Sequence, residues 1–289
     1  MRNLLKNTYY LVKLLIETTV SVFNILLFSS WRVPFCLPVK DSTCKEAFAL
    51  GNGPSMKEAL EQDRLLKEIV NGDVIAMNRF ADSNYFKLVK PRYYILLDPI
   101  FYDEKHLRED DADRKMFLSM NDIDWDMTLF LVHGHDDRML KSILSNPHIN
   151  IVKYNGTRFV GFLWLQNLIY RCNMGIPSTR NVLIPAIQLM INIGYKELYL
   201  YGAEFSWTKT IDVDPKNNKV FMNDRHFYNK EDIHYYEKGW YKWYLEAIID
   251  MLGGMDQLAK YALSRKVRII NRTKGSFVDA FEYENPDLI

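Results

Sequence analysis

The stretch that decides the fold is "FALGNGPSMKEAL", residues 48 to 60. Its apolar start runs into the turn-forming residues Gly51 to Ser55, after which charged and apolar residues follow at helical spacing. This order predicts a buried strand, a tight turn and a helix with Ser55 at its cap. Glycines let a ligand approach the backbone closely, and the N–H groups at a helix start attract phosphate. Taken alone, the turn is equally consistent with a plain connection capped by Ser55.

From Lys45 onward the chain alternates between strand-like and helix-like stretches. Strands are predicted in "AFALGN", "DVIAMN", "RYYILLDP", "MTLFLV", "INIVKYN", "KELYLYGAEF" and "KVRIINRT". Helices are predicted in "SMKEALEQDRLLKEIVNG", in "NVLIPAIQLMINIGY" and from about Tyr235 to Ser264. Such alternation predicts an α/β domain over residues 45–289, with a Rossmann-like, mainly parallel sheet flanked by helices.

Polar residues end three of these strands. The first ends in Asn52, the second in Asn78 and the third in Asp98. Because ligands of such sheets bind beyond the carboxyl ends of the strands, the three residues predict a ligand site there. A nucleotide fits a site of this kind.

Composition narrows the class of protein. The chain has 289 residues, 48% of them apolar and 25% charged, as expected for a folded globular protein. A net charge of +1 gives no general attraction to nucleic acid. Cys36, Cys44 and Cys172 are odd in number and lack metal-ligand spacing, which favours a reducing, cytoplasmic compartment.

Residues 1–35 are strongly apolar, with interruptions at Lys6, Lys13 and Glu17. The longest uncharged run, Thr18 to Trp31, is shorter than the roughly 20 residues of a membrane span. An amphipathic helix in a membrane interface fits better, with Arg2 and the lysines near headgroups and Trp31 as an anchor. The protein would then be peripheral on the inner face of the cytoplasmic membrane. The alternative is a helix packed on the protein's own core or on a partner subunit.

Five blocks, taken in order, resemble those of bacterial lipo-oligosaccharide sialyltransferases. They are "ALGNGPSMKE", "VIAMNRF", "NIGYKELYLYGAEF", "NDRHFYNKED" and "RKVRIINRTKGSF". The resemblance covers about residues 45 to 280 and extends to flagellin nonulosonic-acid transferases and archaeal pterin diphosphokinase-like proteins. It implies a variant of the glycosyltransferase A fold, with a lid insertion around residues 205–235.

The resemblance also implies roles for individual residues. In the sialyltransferases the matching turn and the Asn after the next strand bind the cytidine monophosphate (CMP) donor. The corresponding residues here are Asn52, Gly53, Pro54, Ser55 and Asn78. A histidine in a His-x-x-Asn block acts there as general base, and His226 followed by Asn229 matches that block. A positioned base typically contributes roughly 100 to 10,000-fold to the rate. His234 is the second candidate, whereas His133 and His135 fit a strand-end loop.

Two departures leave the donor open. Asp98 stands where the family carries an Asn, and its carboxylate repels a donor phosphate unless it is protonated or binds ribose. Ser206 stands where the family has a Tyr that supports the leaving phosphate, so Arg180 or Tyr228 would supply that support.

Other polar stretches have simpler interpretations. Ser178, Thr179 and Arg180 precede a long helix, where they can cap it and face an anion; Arg180 can equally pair with Glu204. The acidic run 110–113 fits a solvated face, and residues 211–220 fit a hairpin or lid turn.

The expected function is transfer of a sugar, such as a sialic or other nonulosonic acid from its CMP donor, onto a cell-surface polysaccharide or lipid-linked acceptor. That mechanism needs no metal and no cofactor besides the nucleotide sugar. The alternatives are a Mg²⁺-dependent phosphoryl or diphosphoryl transferase and a non-catalytic membrane-bound scaffold. The sequence is compatible with a homo-oligomer but does not specify one.

Overall fold

A computed structural model of the protein describes residues 2–33, 37–38, 40, 46–109, 111–224 and 232–288. The helices are α1 (Arg2–Phe28), α2 (Ser55–Leu60), α3 (Asp63–Asn71), α4 (Phe86–Val89), α5 (Glu104–Glu109), α6 (Asp111–Asn121), α7 (Arg138–Ile143), α8 (Leu163–Arg171), α9 (Leu183–Ile193) and α10 (Trp240–Arg265). The strands are β1 (Glu46–Leu50), β2 (Asp73–Met77), β3 (Tyr93–Ile95), β4 (Met127–Val132), β5 (Ile149–Tyr154), β6 (Glu197–Tyr201), β7 (Ile211–Asp214), β8 (Lys219–Asp224), β9 (Asp232–Tyr235), β10 (Arg268–Asn271) and β11 (Glu282–Tyr283).

The main sheet has eight strands in the order β11-β10-β6-β1-β2-β3-β4-β5, and every neighbouring pair is parallel. Helices flank it, so the predicted α/β fold class is confirmed. All the predicted strands lie in this sheet. A separate antiparallel sheet, β7-β8-β9, contains the hairpin predicted over residues 211–220 and lies within the span predicted for a lid.

The direction of the chain through the sheet reverses at β1. From β1 the strands progress outward through β2, β3, β4 and β5, and the chain then returns to place β6 on the other side of β1. A crevice opens at such a reversal, beyond the carboxyl ends of the two strands, and ligands bind there in sheets of this class. The stretch at residues 48–60 therefore lies at the reversal point.

Helix α9 lies deepest in the domain. All of its residues except Asn192 are buried, which accounts for its almost uniformly apolar sequence. It ends at Gly194, which has a positive φ of 117° as is usual for a helix C-cap. Its first turn is thereby fixed beside the crevice.

Two helix predictions need correction. The helix predicted from Ser55 to Gly72 is two helices, because Gln62 is extended and separates α2 from α3. The predicted cap role of Ser55 is also wrong, since Pro54 occupies the N-cap position and the N-cap side chain makes no hydrogen bond to α2. The helix predicted from about Tyr235 begins only at Trp240, because Tyr235 ends β9.

The acidic run 110–113 was predicted to be solvated, and for Asp113 this is wrong. Asp113 is only 6% exposed. Its carboxylate lies 2.8 Å from His106 Nε2 and 3.5 Å from Arg79 Nε. Since Arg79 directly follows Asn78, the first residue after β2, this buried cluster ties α6 to the loop that carries Asn78.

The second half of α1 packs on the domain. Val160 N–H donates to Ser21 Oγ at 3.0 Å, and Phe162 N–H donates to Thr18 Oγ1 at 3.1 Å. Ile25 is buried against Gly175, which has no room for a Cβ atom. This half of the helix therefore matches the alternative in which it packs on the protein's own core.

Candidate functional site

A cavity of about 590 Å³ opens at the carboxyl ends of β1, β2 and β6, in the crevice where the strand order reverses. Its size is within the range of roughly 300–1,000 Å³ typical of ligand sites. It is lined by Gly51, Asn52, Gly53, Pro54, Met77, Asn78, Asn181, Val182, Leu183, Gly202, Glu204, Phe205, Ser206, Trp207, Lys209, Thr210, Ile211, Asp212, Phe221 and Asn223. The cavity thus brings together six of the residues predicted for the site: Asn52, Gly53, Pro54, Asn78, Glu204 and Ser206.

The cavity floor is formed by two loops that continue the β1–β6 pairing beyond the strands. Gly51 N–H donates to Tyr201 O at 2.8 Å, and Gly53 N–H donates to Gly202 O at 3.0 Å. A Cβ atom on Gly51 would lie 2.3 Å from Gly202 O, and one on Gly53 would lie 1.5 Å from Glu204 Oε2. Gly51 is therefore required by close packing against the Gly202 backbone, whereas a side chain on Gly53 would have to displace the Glu204 carboxylate.

Glu204 occupies the place where the sequence predicted a phosphate. Its Oε1 accepts the Ser55 N–H at 2.6 Å, and the residue is only 8% exposed. A carboxylate at the start of a helix is stabilised by the helix dipole and by the hydrogen bond. The Ser55 N–H is consequently taken, and Ser55 does not line the cavity.

The segment after β10 fixes Glu204. Ala203 N–H donates to Thr273 Oγ1 at 3.0 Å, while Ser276 Oγ donates to Ala203 O at 2.6 Å. Phe277 N–H donates to Glu204 O at 2.8 Å. The stretch "NRTKGSF", distant in sequence from the turn, thus holds the backbone on both sides of the carboxylate.

Two buried oxygen atoms of the floor have no hydrogen-bond partner in the described part of the chain. They are Asn52 Oδ1 and Glu204 Oε2. A buried acceptor left unsatisfied costs about 1–3 kcal/mol, and more when it is charged. Both atoms are hydrogen-bond acceptors on residues that line the cavity, but they are shielded from solvent, so a ligand with hydroxyl or amino groups reaches them only after the side chains turn.

Asn78 is held at the neighbouring strand end by its backbone. It has a positive φ of 49°, a conformation that Asn tolerates better than most residues. The buried Tyr94 hydroxyl donates to Asn78 O at 2.5 Å and accepts the Ala81 N–H at 2.9 Å. Together with the Arg79 and Asp113 pair, these bonds fix the loop that borders the cavity.

The remaining wall comes from the segment after β6 and from the small sheet. Lys209 is the one basic side chain among the lining residues, and its Nζ lies 4.8 Å from the centroid of the Phe277 ring. Sequence reasoning missed Lys209, Asn181 and Asn223. Lys209 carried a usable signal, because "SWTKT" follows the carboxyl end of a predicted strand directly.

Asp98 lies away from the cavity. It is exposed and accepts the Ile100 N–H at 3.0 Å, which caps a short 3₁₀ helix. It does not line the cavity, although its strand, β3, ends at the same edge of the sheet.

The residues before α9 also differ from expectation. Ser178 is buried and its N–H donates to Gln257 Oε1 at 3.1 Å, while Thr179 Oγ1 donates to Asn181 O at 2.8 Å. Neither lines the cavity. The side chain that bonds the start of α9 is Asn181, whose Oδ1 accepts the Leu183 N–H at 2.8 Å.

Among the described residues, Arg180 and Glu204 do not form an ion pair. The Arg180 guanidinium instead lies over the Trp243 ring, 5.8 Å from its centroid. It lines a second, smaller groove that shares Asn181 and Trp207 with the main cavity.

The candidate histidines fall in different places. His226, with Tyr228, lies outside the described residues, and His234 is exposed on β9, away from the cavity lining. His133 and His135 follow β4, with β2 and β3 between them and β1.

His135 stacks on Tyr102 at 4.6 Å, and burial together with Lys153 lowers its pKa. Within the described ranges, no group of three His, Cys, Asp or Glu residues is placed to hold a metal ion.

Comparison with known proteins supports the fold. No protein-family model and no curated protein matches the chain. The structure is similar to the MAf glycosyltransferase from Magnetospirillum magneticum AMB-1, with a TM-score of 0.50 and 14% identity over 88% of this chain. The chain spans 36% of the length of that protein. A mammalian sialyltransferase also matches, with a TM-score of 0.36 and 14% identity over 87% of this chain and 78% of the other.

Gly53→Ala tests the close packing of the floor. We expect the free energy of unfolding to fall by about 1–3 kcal/mol, because the new methyl group overlaps the Glu204 carboxylate. Urea denaturation measures the change. Gly253→Ala is the matched control, since a Cβ atom there meets nothing within 4 Å. In mid-helix it should be neutral or stabilising by up to about 1 kcal/mol, and equal effects of the two substitutions would contradict the packing argument.

Proposed function

We propose that the protein is a glycosyltransferase whose nucleotide-sugar donor binds in the cavity beyond β1 and β6. The observation that carries the proposal is the pair of buried, unpartnered acceptors, Asn52 Oδ1 and Glu204 Oε2, on the floor of a cavity at the strand reversal. A ribose offers two neighbouring hydroxyl donors, and an acidic side chain near a strand end is the usual partner of ribose in nucleotide-binding sheets. In this proposal Glu204 is the residue that accepts hydrogen bonds from the ribose hydroxyls.

The proposed donor is a CMP-linked sialic or other nonulosonic acid. The sequence resemblance supports this choice, because the turn and Asn78 match the CMP-binding blocks of the sialyltransferases. Lys209 is the cation in the described cavity lining that can pair with the phosphate, and Ser206, three residues before it, lines the same cavity. In this assignment the nucleoside lies on the Glu204 floor and the phosphate faces the Lys209 wall.

The reaction breaks the bond between the anomeric carbon and the phosphate oxygen, and forms a bond from that carbon to the acceptor oxygen. The acceptor proton passes to His226, the proposed general base, and CMP leaves with the electron pair of the broken bond. Tyr228 is the proposed further support for the phosphate. Arg180, the other candidate from the sequence, lies over the Trp243 ring and outside the lining of this cavity. The small sheet serves as the proposed lid that excludes water during transfer. No metal takes part.

Glu204→Gln tests the donor site. The amide keeps its oxygen for the Ser55 N–H and therefore places its NH₂ donor opposite the ribose hydroxyls. We expect CMP to bind about 10 to 100-fold more weakly, as for loss of a hydrogen bond to a charged group. Isothermal titration calorimetry of CMP, UMP and GMP measures this and ranks the bases.

Asp212→Asn is the matched control, because Asp212 is an exposed carboxylate that also lines the cavity. It should change the dissociation constant less than about threefold. Asp98→Asn should leave it unchanged. If CMP binds Glu204→Gln as well as the unaltered protein, Glu204 is not the ribose partner.

His226→Ala tests the base. We expect turnover with CMP-activated sugars to fall roughly 100 to 10,000-fold while the CMP dissociation constant stays the same. His234→Ala is the control and should retain turnover. Activity in the presence of EDTA should be unchanged, and a requirement for Mg²⁺ would instead favour the phosphoryl transferase. A fully active His226→Ala enzyme would remove this residue from the mechanism.

We further propose that α1 lies in a membrane interface and brings the cavity to lipid-linked or cell-surface glycan acceptors. Residues Lys6–Phe28 are long and apolar enough to cross a membrane by length and composition. The bonds from Thr18 and Ser21 to the domain, however, hold the second half against polar backbone, which does not occur for a helix surrounded by lipid. An in-plane position satisfies both observations.

The face of α1 that points away from the domain is apolar. Leu15, Phe23 and Leu27 are among its exposed side chains. Trp164 at the start of α8 is 67% exposed, close to where Phe162 bonds to α1. Such aromatic side chains favour the headgroup region.

Phe23→Glu combined with Leu27→Glu tests the membrane proposal. We expect binding to anionic liposomes to fall at least tenfold, because two apolar side chains that would be buried in the membrane become charged. Co-sedimentation measures the bound fraction. Ile249→Glu combined with Leu263→Glu, at equally exposed positions on α10, is the control and should bind as before. Unchanged binding of the α1 variant would remove the membrane assignment.

A further inference from the structure

A second groove, of about 290 Å³, continues from the main cavity. Trp207 and Asn181 belong to the lining of both. The rest of its lining is Arg180, Met222, Trp243, Tyr244, Ala247, Ile248 and Met251. A molecule in the main cavity and one in the groove would therefore meet across a shared wall.

The groove exists because the inward face of α10 packs in the core along the second half of the helix but is partly open along the first half. In the second half of the helix, Met255, Leu258 and Ala262 are fully packed in the core. In the first half, the same face carries Trp243 and Ala247, which line the groove, and Met251, which belongs to both the groove lining and the buried core.

The groove ends near Gly254. A Cβ atom at that position would lie 2.0 Å from Ser178 O, so α10 presses directly on the loop before α9. The apolar stripe of α10 is packed in the core on the C-terminal side of Gly254 and lines the open groove on its N-terminal side. The groove therefore offers an apolar surface on which an apolar group can be buried.

From these observations we propose that the groove binds the apolar aglycone of the acceptor, so that the acceptor hydroxyl is presented to the donor across Trp207 and Asn181. This proposal rests on the glycosyltransferase function proposed above. The acceptor class is therefore an amphiphile, with a sugar or other hydroxyl-bearing head next to a hydrocarbon or aromatic portion.

The chemistry of the lining favours an apolar group over another sugar ring. Met222, Ile248 and Met251 offer no strong hydrogen-bonding atoms, so buried sugar hydroxyls would remain unsatisfied against them. Arg180, held over the Trp243 ring at the rim, suits an anionic group at the junction of head and tail. The volume of the groove, about 290 Å³, is at the lower limit of the roughly 300–1,000 Å³ typical of ligand sites, which suits a site for part of a ligand.

Alkyl glycosides test the proposal on the full chain without any donor. Calorimetry compares n-octyl and methyl β-D-glucoside below the micelle concentration. We expect the octyl compound to bind at least about tenfold more tightly, since burial of two or three methylene groups suffices for that factor. Ala247→Trp fills the groove and should abolish the difference between the two compounds. Trp243→Ala removes a wall and should weaken octyl binding at least threefold.

Ile249→Trp is the matched control, because Ile249 is 70% exposed and lies outside the groove lining. It should keep the preference for the octyl chain. An equal preference in the unaltered protein, Ala247→Trp and Trp243→Ala would overturn the proposal, since the chain would then bind elsewhere, for example on α1. The proposal would also be overturned if the unaltered protein were a dimer that Ala247→Trp dissociates without a change in octyl affinity. The groove would then be occupied by a second copy of the chain.

The dissociation constant of CMP separates this proposal from the proposed function. Ala247→Trp should leave CMP binding unchanged and raise the KM for apolar acceptors at least tenfold. Absence of CMP binding together with groove-dependent octyl binding would defeat the nucleotide-sugar proposal alone. Normal CMP binding with no octyl preference would defeat the groove proposal alone.

Discussion

The contact between two strand-end loops determines the site. Gly51 and Gly53 lie against residues 201–204 so closely that no side chain fits, and Glu204 closes the contact by accepting the Ser55 N–H. This contact exists because β1 and β6 are neighbours although far apart in the chain. It buries a carboxylate with one oxygen unpartnered among the described residues. In the proposed function, that oxygen accepts a hydrogen bond from a hydroxyl group of the ligand.

Alternation of apolar and helical stretches sufficed to predict the parallel sheet, because strands buried on both faces are continuous apolar runs. It also located Asn52 and Asn78 at one edge. The location of Asp98 could not be predicted, since the direction a strand-end side chain takes depends on the next turn, here a 3₁₀ helix that Asp98 itself caps. The role of Glu204 was equally hidden. Its partner Ser55 lies 149 residues away, and only the sheet order brings them together.

Local rules also failed where tertiary contacts prevailed. Asp113 belongs to a run that is acidic enough to be solvated, yet it is buried because Arg79 and His106 converge on it. Thr179 and Ser178 have the composition of a helix cap, but Asn181 makes the bond to α9. Arg79 reaches Asp113 from a distant segment, and Gln257 does the same for the Ser178 N–H, whereas Asn181 belongs to the same loop as the residues that it replaces as the helix cap.

The central claim is that Glu204 and Asn52 receive the ribose of a nucleotide. A crystal structure of the protein soaked with CMP tests it most directly. We expect ribose hydroxyl oxygens within hydrogen-bonding distance, about 2.5–3.0 Å, of Glu204 Oε2, with the phosphate toward Lys209. A phosphate lying against the Gly51 to Ser55 turn, or a nucleotide bound outside this cavity, would contradict it.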